Sequence, residues 1–174
     1  MTTLNQTSAS SSSDVQHFIR ELDNADGLQR QQARLALVAI GDTAVPALIE
    51  ALSAPHENTR WEAAEALCDL HAPEAAPELV KALEDESIDV RWAAAHALIG
   101  LGRSALPSLL QALVYRFDSP WLREGAYHIL HTLQANRMLH PPEAKVFSYL
   151  GGFMPTIERI PWAAEAALAS LVSD

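Results

Sequence analysis

Glu124, His128 and His131 stand at i, i+4 and i+7, a spacing that puts one carboxylate and two imidazoles on one face of a helix. A further imidazole, His96, lies 32 residues before His128. Nitrogen and oxygen donors of this kind bind zinc or nickel when they converge on one point. Convergence is the difficulty, because neighbouring parallel helices run about 10 Å apart from axis to axis. The expectation is therefore four half-exposed side chains on helix flanks and no metal. Cys68 is the single cysteine, which rules out an intramolecular disulfide and a thiolate zinc cluster. No hydroxyl, thiol or amine stands at usable spacing from a base that could activate it. The expectation is that the chain is not an enzyme, with no catalytic, cofactor-binding or metal-binding residue and no cofactor.

A second group of residues suits recognition better than reaction. In "VYRFDSPWLRE", Tyr115, Phe117 and Trp121 surround Arg116 within a few residues. Aromatic rings and arginine dominate binding hot spots, and a loop has few obligations to a core that would explain so many rings. Trp61, Trp92 and Trp162 also invite attention, because they recur within similar stretches. A repeated apolar residue of this kind is expected to fill the groove between adjacent helices.

The elements that must position these residues are legible in the composition. The chain has 174 residues, 49% of them apolar and 6% aromatic, and is rich in Ala and Leu, the strongest helix formers. An all-α fold follows. The formal charge of −10 disfavours a phosphate backbone as partner and favours a basic protein. No nucleic acid and no membrane partner is expected, since no apolar stretch is read as a membrane span. With no signal-like N-terminus either, the expected location is cytoplasmic. Residues 1–13, "MTTLNQTSASSSS", offer almost nothing to bury and are predicted to be a disordered tail, with order over 14–174.

From Asn24 the chain repeats itself. "TRWEAAEAL" at Thr59–Leu67 returns as "VRWAAAHAL" at Val90–Leu98, and Arg30, Arg60, Arg91 and Arg123 recur at intervals of 30, 31 and 32. Leu37, Leu67, Leu98 and Leu130 each follow an arginine by seven residues, and Pro46, Pro77 and Pro107 keep the same beat. Each unit reads as two helices, the second opened by a proline at its first position, where a missing N–H costs nothing. Leu48 with Leu52, Leu79 with Leu83 and Leu109 with Leu113 give each second helix an apolar seam. Ala63, Ala66, Ala94 and Ala97 allow close approach of the two helices of a pair. No unit of this size closes its own core, so the units must stack.

"DESIDVRWAAAHALIGLG" and "PELVKALED" resemble HEAT repeats, in particular the short type found in phycobilisome (bilin) lyases, over residues 28 to 133. The fourth unit carries the extended turn "QANRMLHPPEAKV", and "PWAAEAALASL" from Pro161 resembles the first helix of a fifth unit. The resemblance implies a right-handed α-solenoid of about four to five helix pairs whose second helices line a concave wall. It also implies a polar ladder between units, built on Arg60 and Arg91 with Asn58 and Asp89. HEAT-type hydroxylases hold iron with His-Glu pairs, but the matching positions here are Trp61-Glu62, Trp92-Ala93 and Glu124-Gly125, so the imidazole ligands are missing.

The function expected from these residues is a non-catalytic protein-interaction module, a scaffold or adaptor. Its partner, another protein of basic character, would bind the concave side at Glu50, Glu78, Lys81 and Gln111. The contact would extend over the loop residues Tyr115, Arg116, Phe117 and Trp121. The resemblance also implies an alternative, a bilin lyase-like or tetrapyrrole-handling subunit. The unpaired helix that ends the array offers a site for another copy of the chain.

Overall fold

The computed structural model describes residues 4–151 and 157–172, and the side chains from Ser13 onward. Among the described residues there are ten α-helices and no strand: α1 (Leu4–Glu21), α2 (Gly27–Ile40), α3 (Val45–Ala51), α4 (Glu57–Leu70), α5 (Ala76–Ala82), α6 (Ile88–Leu101), α7 (Leu106–Tyr115), α8 (Pro120–Ala135), α9 (Pro141–Leu150) and α10 (Ile160–Leu171). The first helix begins at Leu4, where the sequence predicts irregular chain as far as residue 13. Residues 1–3 of that predicted tail lie outside the described residues. Val15 and Leu22 are buried, so the packed turns at the C-terminal end of α1 supply a nucleus from which helix propagates backward at the cost of one residue per bond.

One local grammar builds each unit. A side-chain acceptor starts the first helix in three of the four cases: Asp26 accepts from Leu28 N, Ser87 from Asp89 N and Val90 N, and Ser119 from Leu122 N. Eleven residues after the recurring arginine the backbone turns left-handed, at Gly41 (φ 77°), His71 (φ 51°) and Gly102 (φ 59°). Here the chain leaves the first helix, and glycine fits two of the three positions because it has no Cβ to clash. A 3-10 turn and a proline then open the second helix. In α8 the left-handed residue is Arg137 (φ 58°) instead, because that helix runs further.

The units stack as the repeat predicts. First helices form one row, α2 on α4, α4 on α6 and α6 on α8, and α5 packs on α7 in a second row. The leucine seam and the paired alanines are buried in one continuous core. The fold is an α-solenoid. At the loop edge the recurring arginines turn inward, each toward carbonyls five or six residues back: Arg30 to Asn24 O at 2.8 Å, Arg60 to Ala54 O and Pro55 O at 3.1 Å, Arg91 to Asp85 O at 2.8 Å, and Arg123 to Phe117 O at 2.7 Å. Arg60 also grips Asp85 of the next loop with two bonds of 2.7 and 2.9 Å, so one guanidinium sutures two units. Asn58 and Asp89 are exposed, and the carboxylate in the ladder is Asp85.

Two expectations change. The first concerns α10, which does not stack on α8 as the first helix of a fifth unit. It packs against α7 and α9, and buries Ile160, Ala163, Ala164 and Ala167. The cause lies in the extended turn before α9. Arg103 donates to Met138 O (2.8 Å) and to Glu143 Oε1 (3.1 Å), and the fully buried Glu143 accepts from His140 N. This anchorage holds α9 against α8 and leaves the flank of α7 for α10 to cover. The array therefore closes on a packed helix. The second change concerns apolar length. Gly27–Ala51 and Ile88–Tyr115 are long and apolar enough to span a membrane by length and composition. Each is a helix pair broken at a left-handed glycine, Gly41 or Gly102, and its buried face belongs to the stack.

Candidate functional site

The second-helix row carries a shallow groove between α5 and α7. Pro77, Lys81, Ser108, Gln111, Tyr115 and Arg116 line it, and its volume is about 290 Å³. Four residues predicted from sequence to bind a partner, Lys81, Gln111, Tyr115 and Arg116, are thus brought together from two units. Tyr115 is 74% exposed and so presents most of its side chain to solvent. Lys81 Nζ donates to Glu78 Oε1 at 2.6 Å, which places Glu78 at the margin of the same groove. Arg116 is paired with Glu84 across the inter-unit loop, which fixes its guanidinium at the end of the groove. Glu50 is exposed on α3, one unit away, and does not line it.

The aromatic loop does not act as one surface. Phe117 packs against the core and is a fastener for the loop rather than an outward anchor. Trp121 lies on the opposite side from Tyr115, at the start of α8, with the Arg91 guanidinium 4.8 Å from its ring centroid. Residue order could not separate these directions. Tyr115 is the last residue of α7, whereas Trp121 is already in the first turn of α8, so two helices aim them.

The histidines also diverge. His128 meets Trp92 edge to face at 4.9 Å, in the groove between α6 and α8. His131 turns toward α9, where it contacts Tyr127 and Phe147 at 5.9 Å. His96 is exposed and borders a shallow groove with Trp61, Glu65 and Trp92, whose far edge His128 also reaches. Among the described residues no group of three His, Cys, Asp or Glu side chains is placed to share a metal. Trp61 packs against the core between first helices, as predicted, whereas Trp92 is 51% exposed and does not fill its groove. Trp162 is 79% exposed beside Pro141, Pro142 and Tyr149.

A buried carboxylate escaped the sequence reading of the surface. Glu62, on α4, is 2% exposed and sits between Arg34 Nε at 3.0 Å and Arg30 Nε at 3.6 Å, both on α2. Neither guanidinium nitrogen makes a well-aligned hydrogen bond. Burial consequently dominates and pushes the carboxyl pKa up, against the opposing charges of Arg34 and Arg30. Arg34 reaches onward to Asp69 at 3.3 Å, so α2 and α4 share an ionic seam. Burial likewise pushes the Cys68 thiol up, assisted by Glu65 and Asp69 and opposed by Arg34, which makes it a poor nucleophile at neutral pH. The only advance sign of the seam was that Glu62 stands where the next units have Ala93 and Gly125.

The family model for HEAT repeats matches residues 15–99 and 76–141 of the chain. Among solved structures, a crystal structure of an engineered protein is similar at 20% identity with a TM-score of 0.48, covering 92% of this chain and 80% of that one. No curated protein matches.

Proposed function

Because the chain belongs to the HEAT repeat family, whose members generally mediate protein–protein interaction, we propose that it is a non-catalytic adaptor that holds a basic partner protein along its second-helix row. The observation that carries this reading is the α5/α7 groove, where Lys81, Gln111, Tyr115 and Arg116 meet although they come from separate units. A repeat stack presents such positions in register, while their side chains differ from unit to unit: Glu50, then Glu78 and Lys81, then Ser108 and Gln111. Each unit can then read a different part of an extended ligand. Tyr115 supplies the large amphipathic ring that binding hot spots favour, and Arg116 a directional donor. The net charge of −10 accelerates encounter with a basic protein.

A photo-reactive phenylalanine at Gln111 tests the proposal in the source cell. It should give a discrete adduct, absent when the same group replaces Gln31 on the first-helix row. With the partner in hand, Tyr115→Ala should weaken binding by about 1 to 3 kcal/mol without comparable loss of stability. Adducts from position 31 alone, together with unchanged affinity for Tyr115→Ala, would put the interface on the wrong row.

A further inference from the structure

The first-helix side carries a cleft that the stacking of units leaves open. Its floor is Leu83, Ala95 and Gly125, and its walls are Ile88, Trp92 and Trp121 around a cavity of about 40 Å³. The wall residues are 57%, 51% and 45% exposed, so three large apolar side chains meet at one place on the surface of an acidic protein. The cleft has a cause in the sequence. Where α4 and α6 carry Trp61 and Trp92, the same register of α8 holds Glu124, and the next residue is Gly125 in place of Glu62 and Ala93. Gly125 lets α8 settle onto Leu83: a Cβ there would stand 3.0 Å from Leu83 Cδ2. The ring that α4 and α6 carry at this register is missing from α8, and Trp121 and His128 flank the groove beside Trp92 without filling it.

The charges around the cleft restrict what can enter. The Arg91 guanidinium lies over the Trp121 ring while its Nη1 donates to Asp85 O and Glu86 O, so a fixed positive charge sits at the mouth. Glu124 and His128 complete the lining on the α8 side, and the rest of the interior, from Leu83 to Trp121, is apolar and suits an apolar group. At the rim the sign reverses. Glu86, Asp89, Asp118 and Glu124 are exposed, Glu124 within the lining and Glu86 also 3.3 Å from Arg60 Nη2. The cations of this edge face inward: Arg60 and Arg123 bond loop carbonyls, and Arg116 is paired with Glu84.

We propose that the cleft seats the tip of one aliphatic side chain, such as leucine, from a basic segment of a partner protein, with flanking Lys or Arg residues paired to Glu124 and Asp89. This rests on the reading of the chain as a protein-binding module, and adds to it a second contact on the opposite row. Burying the apolar side chain supplies affinity, and the acidic rim selects its neighbours.

The four tryptophans are built-in reporters, because Trp61, Trp92, Trp121 and Trp162 give separate indole N–H signals in a ¹⁵N spectrum. The probe is a synthetic helix-forming peptide with Leu at two positions four apart and Lys on its remaining faces. Two control peptides carry Glu for Lys or Ala for Leu. Titration with the Lys–Leu peptide should move the Trp92 and Trp121 signals saturably and leave Trp61 and Trp162 in place. The Ala peptide should bind at least about tenfold more weakly, as expected for loss of a hot-spot anchor, and the Glu peptide should not bind. Glu124→Lys should weaken the Lys–Leu peptide by about tenfold, as expected when an attractive interfacial charge becomes repulsive. The proposal is overturned if nothing binds, if all four indoles move alike, if the Ala or Glu peptide binds as well as the Lys–Leu peptide, or if Glu124→Lys changes nothing. None of these results bears on the α5/α7 groove, which is read from Gln111 and Tyr115.

Discussion

Glu62 shows how a single residue can be held in place by charge and still resist being charged. Its carboxylate has two arginines within 3.6 Å, yet it lies in a seam with almost no water and without aligned hydrogen bonds. A folded-state pKa above the ordinary 4.5 means that the native protein binds this proton more tightly than the unfolded chain does. The resulting contribution to stability is complete below the ordinary value and is lost as pH rises through the raised one. Glu62→Gln lacks this titration. Urea denaturation at several pH values should therefore show the wild type losing stability relative to Glu62→Gln as pH rises through that window, with a constant difference above it. Arg60 is the opposite case, because every donor it turns inward finds an acceptor in two loops and on Asp85. Removing it leaves Asp85, whose side chain is 10% exposed, without its ionic partner and with only the bond from Ser87 N. Arg60→Ala should cost about 3 to 5 kcal/mol, measured by chemical denaturation, and Arg60→Lys should recover only part of that because an ammonium cannot reproduce the two-pronged grip.

At the scale of elements, the regular units and the irregular end follow different rules. In α2 to α7 a left-handed residue eleven positions after the arginine and a proline mark each helix pair, α2 and α6 add a capping acceptor, and all of these are local signals. The helix starting near Pro161 was also legible, from its alanine-rich pattern. Its packing was not. Similarity to the first helices predicted a place on α8, whereas the turn pinned by Arg103 and Glu143 leaves α10 against α7 and α9. Ala164 is fully buried in that packing, and Ala166 is exposed on the same helix. Ala164→Asp would bury an unpaired charge, and a thermal melt should show a loss of several degrees or more, while Ala166→Asp should shift the midpoint little. Equal effects of the two substitutions would mean that α10 does not cap the stack.

At the scale of the whole molecule, the buried leucines and alanines of all units form one continuous cluster that includes Val15 at one end and Ala167 at the other. No unit has a core of its own to fall back on. Far-ultraviolet circular dichroism and tryptophan fluorescence should accordingly report a single coincident unfolding transition in urea, and two separated midpoints would show that the stack unfolds in blocks. The repeat, its period, the buried faces and the inward arginines were all determined by the sequence, because they depend on interactions between residues close in the chain or on one pattern copied at fixed spacing. Other features were decided only by the tertiary structure. Tyr115 and Trp121, six residues apart, face opposite rows because two different helices aim them. Glu62 is buried because α2 brings Arg30 and Arg34 against it. The cleft at Trp92 and Trp121 exists because α8 carries Glu124 and Gly125 where α6 carries Trp92 and Ala93, a difference that only the packing of the two helices makes conspicuous. Each of these is a relation between side chains far apart in sequence, and its outcome is set by the angle and distance at which whole helices meet.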